Sequence, residues 1–231
     1  MQNLTKKGKK TKKKTKEETT EEEISEEVSE DVEEESAEEQ LSLIDLLGSA
    51  AGPRGPEARS IMFVGEVTED RAADLISALL VLSQTKDPAA ERAEPIKLYV
   101  STYGGSADEM FGIYDVVNFC KKFCDIETIG LGKVMSAGTL MLASGTKGKR
   151  KIGKHCRVMI HAVNAGQVGD IFNLQNELEQ TVGLQDSYIQ AMSHETNMTK
   201  RQIQTLINRK VNVYLTAEEA IEKGLADEIL E

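Results

Sequence analysis

The sequence predicts an α/β domain with a largely parallel sheet, and three observations predict it. Apolar runs of strand length alternate with amphipathic helical stretches, helix-capping residues stand at the starts of those helices, and one buried small-residue helix lies between two strand-like runs. Alternation of this kind lets helices cover a sheet whose strands run the same way.

Ile61–Val64 reads as the first strand, and Thr68 caps a helix whose Ala72, Leu75, Ile76, Leu79 and Leu82 share one face. Ile96–Val100 is the second strand. Ser106 with Glu109 forms a capping box for a helix carrying Met110, Ile113, Tyr114 and Val117. Asp125–Leu131 is a third apolar-rich run, with Ile126–Ile129 as its strand, and Ser136–Ser144 is a buried helix stopped by Gly145. Val158–Ile160 is a further strand. From Asp170 to His194 a long helix places Ile171, Leu174, Leu178, Val182 and Ile189 at near-helical spacing, which suits an ordinary amphipathic helix on the sheet as well as a projecting one. Thr199 with Gln202 and Thr216 with Glu219 mark two later capping boxes, and Gly224 is a helix stop.

The chemistry concentrates on Ser136 and on His161, 25 residues later. Ser136 stands between a strand-like run and a small-residue helix start, where unpaired N–H groups and the helix dipole can receive an oxyanion. Serine is also a favoured N-cap, and most such serines do no chemistry. The chain has three histidines, of which His155 lies in a basic stretch and His194 in a polar helix end, so both are expected at the surface. His161 closes the apolar run Val158–Ile160, and a core histidine satisfied by a carbonyl is the plain alternative there. A serine and a histidine together can build an activated nucleophile.

From about Ile61 to Leu230 the sequence resembles the ClpP family, the proteolytic subunits of the Clp protease. The resemblance is carried by Leu98–Gly105 (LYVSTYGG), Gly132–Thr139 (GKVMSAGT), Gly145–Arg150 (GTKGKR), Arg157–His161 (RVMIH) and Tyr214–Ala220 (YLTAEEA), running into Gly224–Asp227 (GLAD). It implies the Clp/crotonase fold, a repeated ββα spiral with a protruding handle helix at 170–194. It also implies Ser136 as nucleophile, His161 as general base, and the backbone N–H groups of Gly104 and Ala137 as the oxyanion hole.

The family's third residue, an aspartate, corresponds here to Asn212. Asparagine offers the histidine a neutral carbonyl in place of a charge, so a weakened or conditional protease is expected. Tyr103 stands where the family has proline, and Ala162–Val163 where it has Gln-Pro, beside the implied substrate groove. The resemblance further implies two stacked heptameric rings, a homo-oligomer or one mixed with a paralogue. It implies an AAA+ unfoldase as partner and unfolded proteins as substrates. The chain holds no Gly-x-x-x-x-Gly-Lys-Ser/Thr loop, so ATP would be used by that partner.

Residues 1–16 contain eight lysines and no acid, whereas residues 17–39 contain fourteen Asp or Glu and no Lys or Arg. Such blocks cannot build a core, so residues 1–40 are expected to form a disordered charged tail. Removing the tail's charges leaves 20 basic and 25 acidic residues, a net charge of −5. That balance, and the acids beside the lysine block, argue against nucleic acid as partner. Residues 41–60 hold an apolar cluster and a Gly-Pro-rich loop, an axial segment by the resemblance, and 61–231 are the peptidase domain. There is no apolar run of about 18 residues for a membrane span, and the lysine block lacks the apolar centre of a secretory signal, so neither is expected. Cys120, Cys124 and Cys156 form no disulfide or zinc pattern, so neither metal nor cofactor is expected, and the location expected is the cytoplasm. Two other readings stand beside the serine peptidase: a catalytically silent ring subunit, favoured by Asn212, and a crotonase-type acyl-CoA enzyme, which has no need of the Ser/His pair.

Overall fold

The apolar run at the start of the domain forms β1 (Ser60–Val64), followed by α1 (Glu69–Gln84), β2 (Ile96–Thr102), α2 (Ala107–Cys120) and a ten-residue strand, β3 (Ile126–Met135). The chain continues through α3 (Ala137–Ala143), β4 (Lys151–Gly153), β5 (Arg157–Ile160), α4 (Ile171–Glu195), α5 (Lys200–Ile207), β6 (Val213–Leu215), α6 (Ala217–Glu222) and β7 (Glu228–Leu230). This computed structural model describes residues 59–230, so the expectations for residues 1–40 and for nearly all of 41–60 lie outside the described residues.

The strands run in the order β1-β2-β3-β4-β7 with parallel pairing throughout. The sheet forks along β3. Its first half pairs Ile129 and Gly130 with β4, whereas its second half pairs Lys133–Met135 with β5. Gly132, at φ 64°, marks the turn between the two halves, a conformation that costs glycine little. β6 closes the fork against β5 in the one antiparallel pairing among the described residues.

Alternation built this sheet as the apolar spacing predicts. Leu98, Val100, Ile126, Leu142 and Ile160 are fully buried, each stabilising the fold by about 1.5–3 kcal/mol relative to exposure. Three strands escaped the periodicity: β4, β6 and β7 have three residues each, too few to display alternation.

The caps divide. Thr199 and Thr216 form reciprocal capping boxes with Gln202 and Glu219. Ser106 accepts from the Glu109 N–H without the return bond, so the expected box is half made. Thr68 holds the N-cap position of α1, but its hydroxyl makes no cap bond. Gly224 ends α6 at φ 74°.

α4 begins where expected, its first N–H groups held by the Asp170 carboxylate at 3.0 and 3.2 Å. Of its apolar stripe only Ile189 is buried, while Ile171, Leu174, Leu178 and Val182 face solvent. The first half of the helix therefore does not cover the sheet, and burial begins at Tyr188.

Candidate active site

Parallel pairing at the fork brings the two sequence-predicted side chains to one edge. Met135 of β3 sits opposite Met159 of β5, and the Ser136 N–H donates to the Met159 carbonyl at 2.8 Å. Ser136 thus begins beyond β3 where β5 runs out into His161. Both residues line one cavity of about 770 Å³, together with Gly104 and Ala137.

Ser136 adopts φ 53° and ψ −121° and makes no side-chain cap bond to α3. A simple N-cap would be extended, with its hydroxyl bonded to the helix, so the capping reading does not describe this serine. Positive φ at a non-glycine residue costs of order 1–3 kcal/mol and persists only where its surroundings impose it. Here the Met159 bond fixes the residue from one side. From the other, Thr139 donates both its backbone N–H, at 2.9 Å, and its hydroxyl, at 2.6 Å, to the Ser136 carbonyl. The Thr139 hydroxyl also meets the Tyr188 hydroxyl at 2.7 Å, and burial pushes the Tyr188 phenol up to about 12. Tyr188 therefore stays neutral across the physiological range, tying α4 to the strained turn.

Gly104 packs directly on Ser136. At its φ of 104°, a Cβ would lie 2.5 Å from the Ser136 Cβ and 3.0 Å from its Oγ, so this position needs glycine for space as well as for conformation. The two N–H groups expected to form an oxyanion hole differ. That of Ala137, the first residue of α3, has no intrahelical acceptor. That of Gly104 donates to Thr102 Oγ1 at 2.9 Å.

Asn212 is exposed and does not line the cavity. Ile160 faces Val213 across β5 and β6, so one further step of the antiparallel register sets His161 opposite Asn212. Among the described residues, no hydrogen bond joins Ser136 to His161 or His161 to Asn212. The cavity wall beside Gly104 carries Tyr103, whose exposed ring has the Lys133 ammonium 4.7 Å from its centroid, within cation–π range. Lys133, Thr102, Thr139 and Tyr188 were not singled out from the sequence. Thr102, Lys133 and Thr139 lie within the stretches that carry the family resemblance, but the contacts of Lys133 with Tyr103 and of Thr139 with Tyr188 join segments far apart in the chain, and Tyr188 left no signal of its own.

No group of three His, Cys, Asp or Glu able to hold a metal occurs among the described residues, and no described helix is long and apolar enough to cross a membrane. The three cysteines are buried free thiols, and burial pushes Cys156 up to about 11.

The forked parallel sheet with helices packed on it has the architecture of the Clp/crotonase-like α/β class. Residues 55–231 match the family model for Clp protease. The chain is 32% identical over 173 residues to ATP-dependent Clp protease proteolytic subunit 1 of Bifidobacterium longum, covering 74% of this chain and 70% of that protein. It is also 32% identical to proteolytic subunit 2 of Corynebacterium glutamicum, over 170 residues, 74% of this chain and 81% of the relative. The same identity to subunit 2 of Thermobifida fusca covers 74% and 80%. The chain belongs to the Clp protease family, and its function is that of a Clp protease proteolytic subunit.

Proposed function

We propose that Ser136 is the nucleophile of a serine endopeptidase, with His161 as its general base, Asn212 orienting the imidazole, and the Gly104 and Ala137 N–H groups holding the oxyanion. One observation carries the reading: Ser136 is held at positive φ, with its hydroxyl unused by the helix, in the cavity that His161 also lines.

Ser136 Oγ attacks the peptide carbonyl while His161 takes its proton. The carbonyl π electrons move to oxygen, and the resulting oxyanion is held by the Ala137 N–H. The Gly104 N–H joins it by exchanging Thr102 Oγ1 for the oxyanion. Collapse breaks the C–N bond, and His161 returns the proton to the leaving amine. Water then cleaves the acyl-enzyme by the same steps in reverse roles. Hydrogen bonds of this kind often close only when substrate is bound, so Ser136 and His161 meet as the complex forms.

Asn212 supplies a dipole where a carboxylate would supply a charge, and turnover is lowered accordingly. The assembly is two stacked heptameric rings, alone or with a paralogue, receiving unfolded chains from an AAA+ unfoldase in the cytoplasm. Exposed Ile171, Leu178 and Val182 on α4 support an assembled state, and three free thiols suit a reducing compartment. The exposure of Asn212 favours a silent ring subunit as the second reading. A fluorophosphonate that labels Ser136 in the assembled protein supports the peptidase; a protein that assembles and takes no label is the silent subunit.

A further inference from the structure

The peptide unit that joins Ser136 to Ala137 has two ends with different work. Its N–H is the oxyanion donor assigned to Ala137 above. Its carbonyl accepts two hydrogen bonds from Thr139, one from the backbone N–H at 2.9 Å and one from the hydroxyl at 2.6 Å. A planar amide cannot move one end without the other, so whatever fixes the carbonyl also fixes the direction of the N–H. Bonds accepted by the carbonyl polarise the amide as well, and its N–H becomes a stronger donor.

The geometry leaves the hydroxyl protons one arrangement. Thr139 carries a single hydroxyl hydrogen and gives it to the Ser136 carbonyl, so the 2.7 Å contact with Tyr188 is a bond donated by the phenol. A relay results, from the Tyr188 O–H to the Thr139 O–H to the Ser136 carbonyl. Thr139 is fully buried and Tyr188 nearly so, which keeps water from competing for these bonds. Tyr188 is the first buried residue of α4. With Thr181 and Leu184, at three- and four-residue steps on one helix face, it lines the Ser136 cavity.

The other oxyanion donor lacks such an arrangement, because the Gly104 N–H is bonded to Thr102 Oγ1. The Ala137 arm is the one set before a substrate arrives.

We propose that Thr139 and Tyr188 are positioning residues for the oxyanion hole, the relay from the α4 phenol through the Thr139 hydroxyl holding the Ser136–Ala137 peptide plane and polarising its N–H. The inference rests on the serine-peptidase reading and deepens it, since both side chains act through the one peptide group that the oxyanion meets.

The test measures, on the assembled protein, turnover of a short fluorogenic peptide and inhibition by a peptidyl boronate, whose tetrahedral adduct with Ser136 places an oxygen in the oxyanion hole. Thr139→Val should lower kcat by about tenfold and Tyr188→Phe, which keeps the ring, by about three- to tenfold. KM should change little and boronate affinity should fall in step with kcat, while affinity for the cleaved peptide holds. Thr139→Ser should recover most of the lost turnover. Because Tyr188 acts through Thr139, adding Tyr188→Phe to Thr139→Val should cost nothing further. Should Thr139→Val fail to assemble, Tyr188→Phe carries the test alone, since it leaves the bonds between Thr139 and Ser136 in place. A native protein that cleaves the peptide, with native kcat and boronate affinity in Tyr188→Phe, overturns this inference alone. A native protein that takes no fluorophosphonate at Ser136 overturns the peptidase reading and this inference together.

Discussion

The two ends of α3 are organised on opposite principles. At its start Ser136 is strained, its hydroxyl is unbonded, and the Ala137 N–H beside it has no intrahelical acceptor. Near its end, Arg150 is buried with four of its five side-chain N–H donors engaged. Its Nη1 donates to the Ala143 and Glu195 carbonyls at 3.2 and 2.7 Å, and its Nε and Nη2 donate to Asp227 at 2.9 and 2.5 Å. Asp227 also accepts from the Gly148 and Arg150 N–H groups. Polar groups left open belong where a substrate must be received, and polar groups closed upon one another belong where a buried charge would otherwise be ruinous. One short helix carries both, so the satisfied end holds the frame in which the open end can remain strained.

The largest effect should follow removal of the open hydroxyl. Ser136→Ala is expected to lower peptide hydrolysis by at least about 10⁴-fold and to abolish fluorophosphonate labelling while the melting midpoint barely moves. Retained labelling in that variant would show that another serine is the nucleophile. Arg150→Met makes the converse cut. Leaving Asp227 without its partner should cost about 3–5 kcal/mol in chemical denaturation, with turnover per folded molecule preserved. A loss of turnover without a loss of stability would break the comparison.

Gly104→Ala probes how tightly the open end is packed. The added methyl is placed against Ser136 and φ 104° is unfavourable to it, so turnover should fall by about 10²-fold through displacement of the serine. Stability should fall by about 1–3 kcal/mol from the backbone strain. A smaller effect is expected from Asn212→Asp, which adds a charge to stabilise imidazolium: a rise in kcat of about tenfold with KM little changed, measured on a short fluorogenic peptide. An unchanged kcat in an assembled ring would remove Asn212 from the mechanism.

The smallest effect concerns pH. Burial raises the Asp227 carboxyl, but the hydrogen bonds and charge of Arg150 outweigh it and hold the group below its usual range. A depressed carboxyl stabilises the fold above the unfolded value, near ~3.9, and that contribution disappears as pH falls through the lower folded value. Denaturation midpoints at pH 5 and pH 3 should therefore differ more in the native sequence than in Asp227→Asn.

Much of this was legible beforehand because it is local. The α/β alternation, the extent of α4 and the boxes at Thr199 and Thr216 depend on residues a few positions apart, and so does the stop at Gly224. Thr68 and Ser106 show the limit: both hold N-cap positions, yet the Thr68 hydroxyl makes no cap bond and Ser106 accepts from the Glu109 N–H without the return bond. Ser136 and His161 stood out through residue type and neighbours, but the register that joins them belongs to β3 and β5 together.

The sequence by itself determined the longer helices and strands and the small residues that crowd Ser136, because periodicity, capping and side-chain size act over short spans, and its motifs carried the resemblance to the family. Only the tertiary structure decided that β3 forks, that Tyr188 reaches Thr139 across 49 residues and that Arg150 is sealed against Asp227 across 77. Each of these is a contact between distant segments, fixed by how the whole sheet and its helices close, and no local pattern encodes that closure.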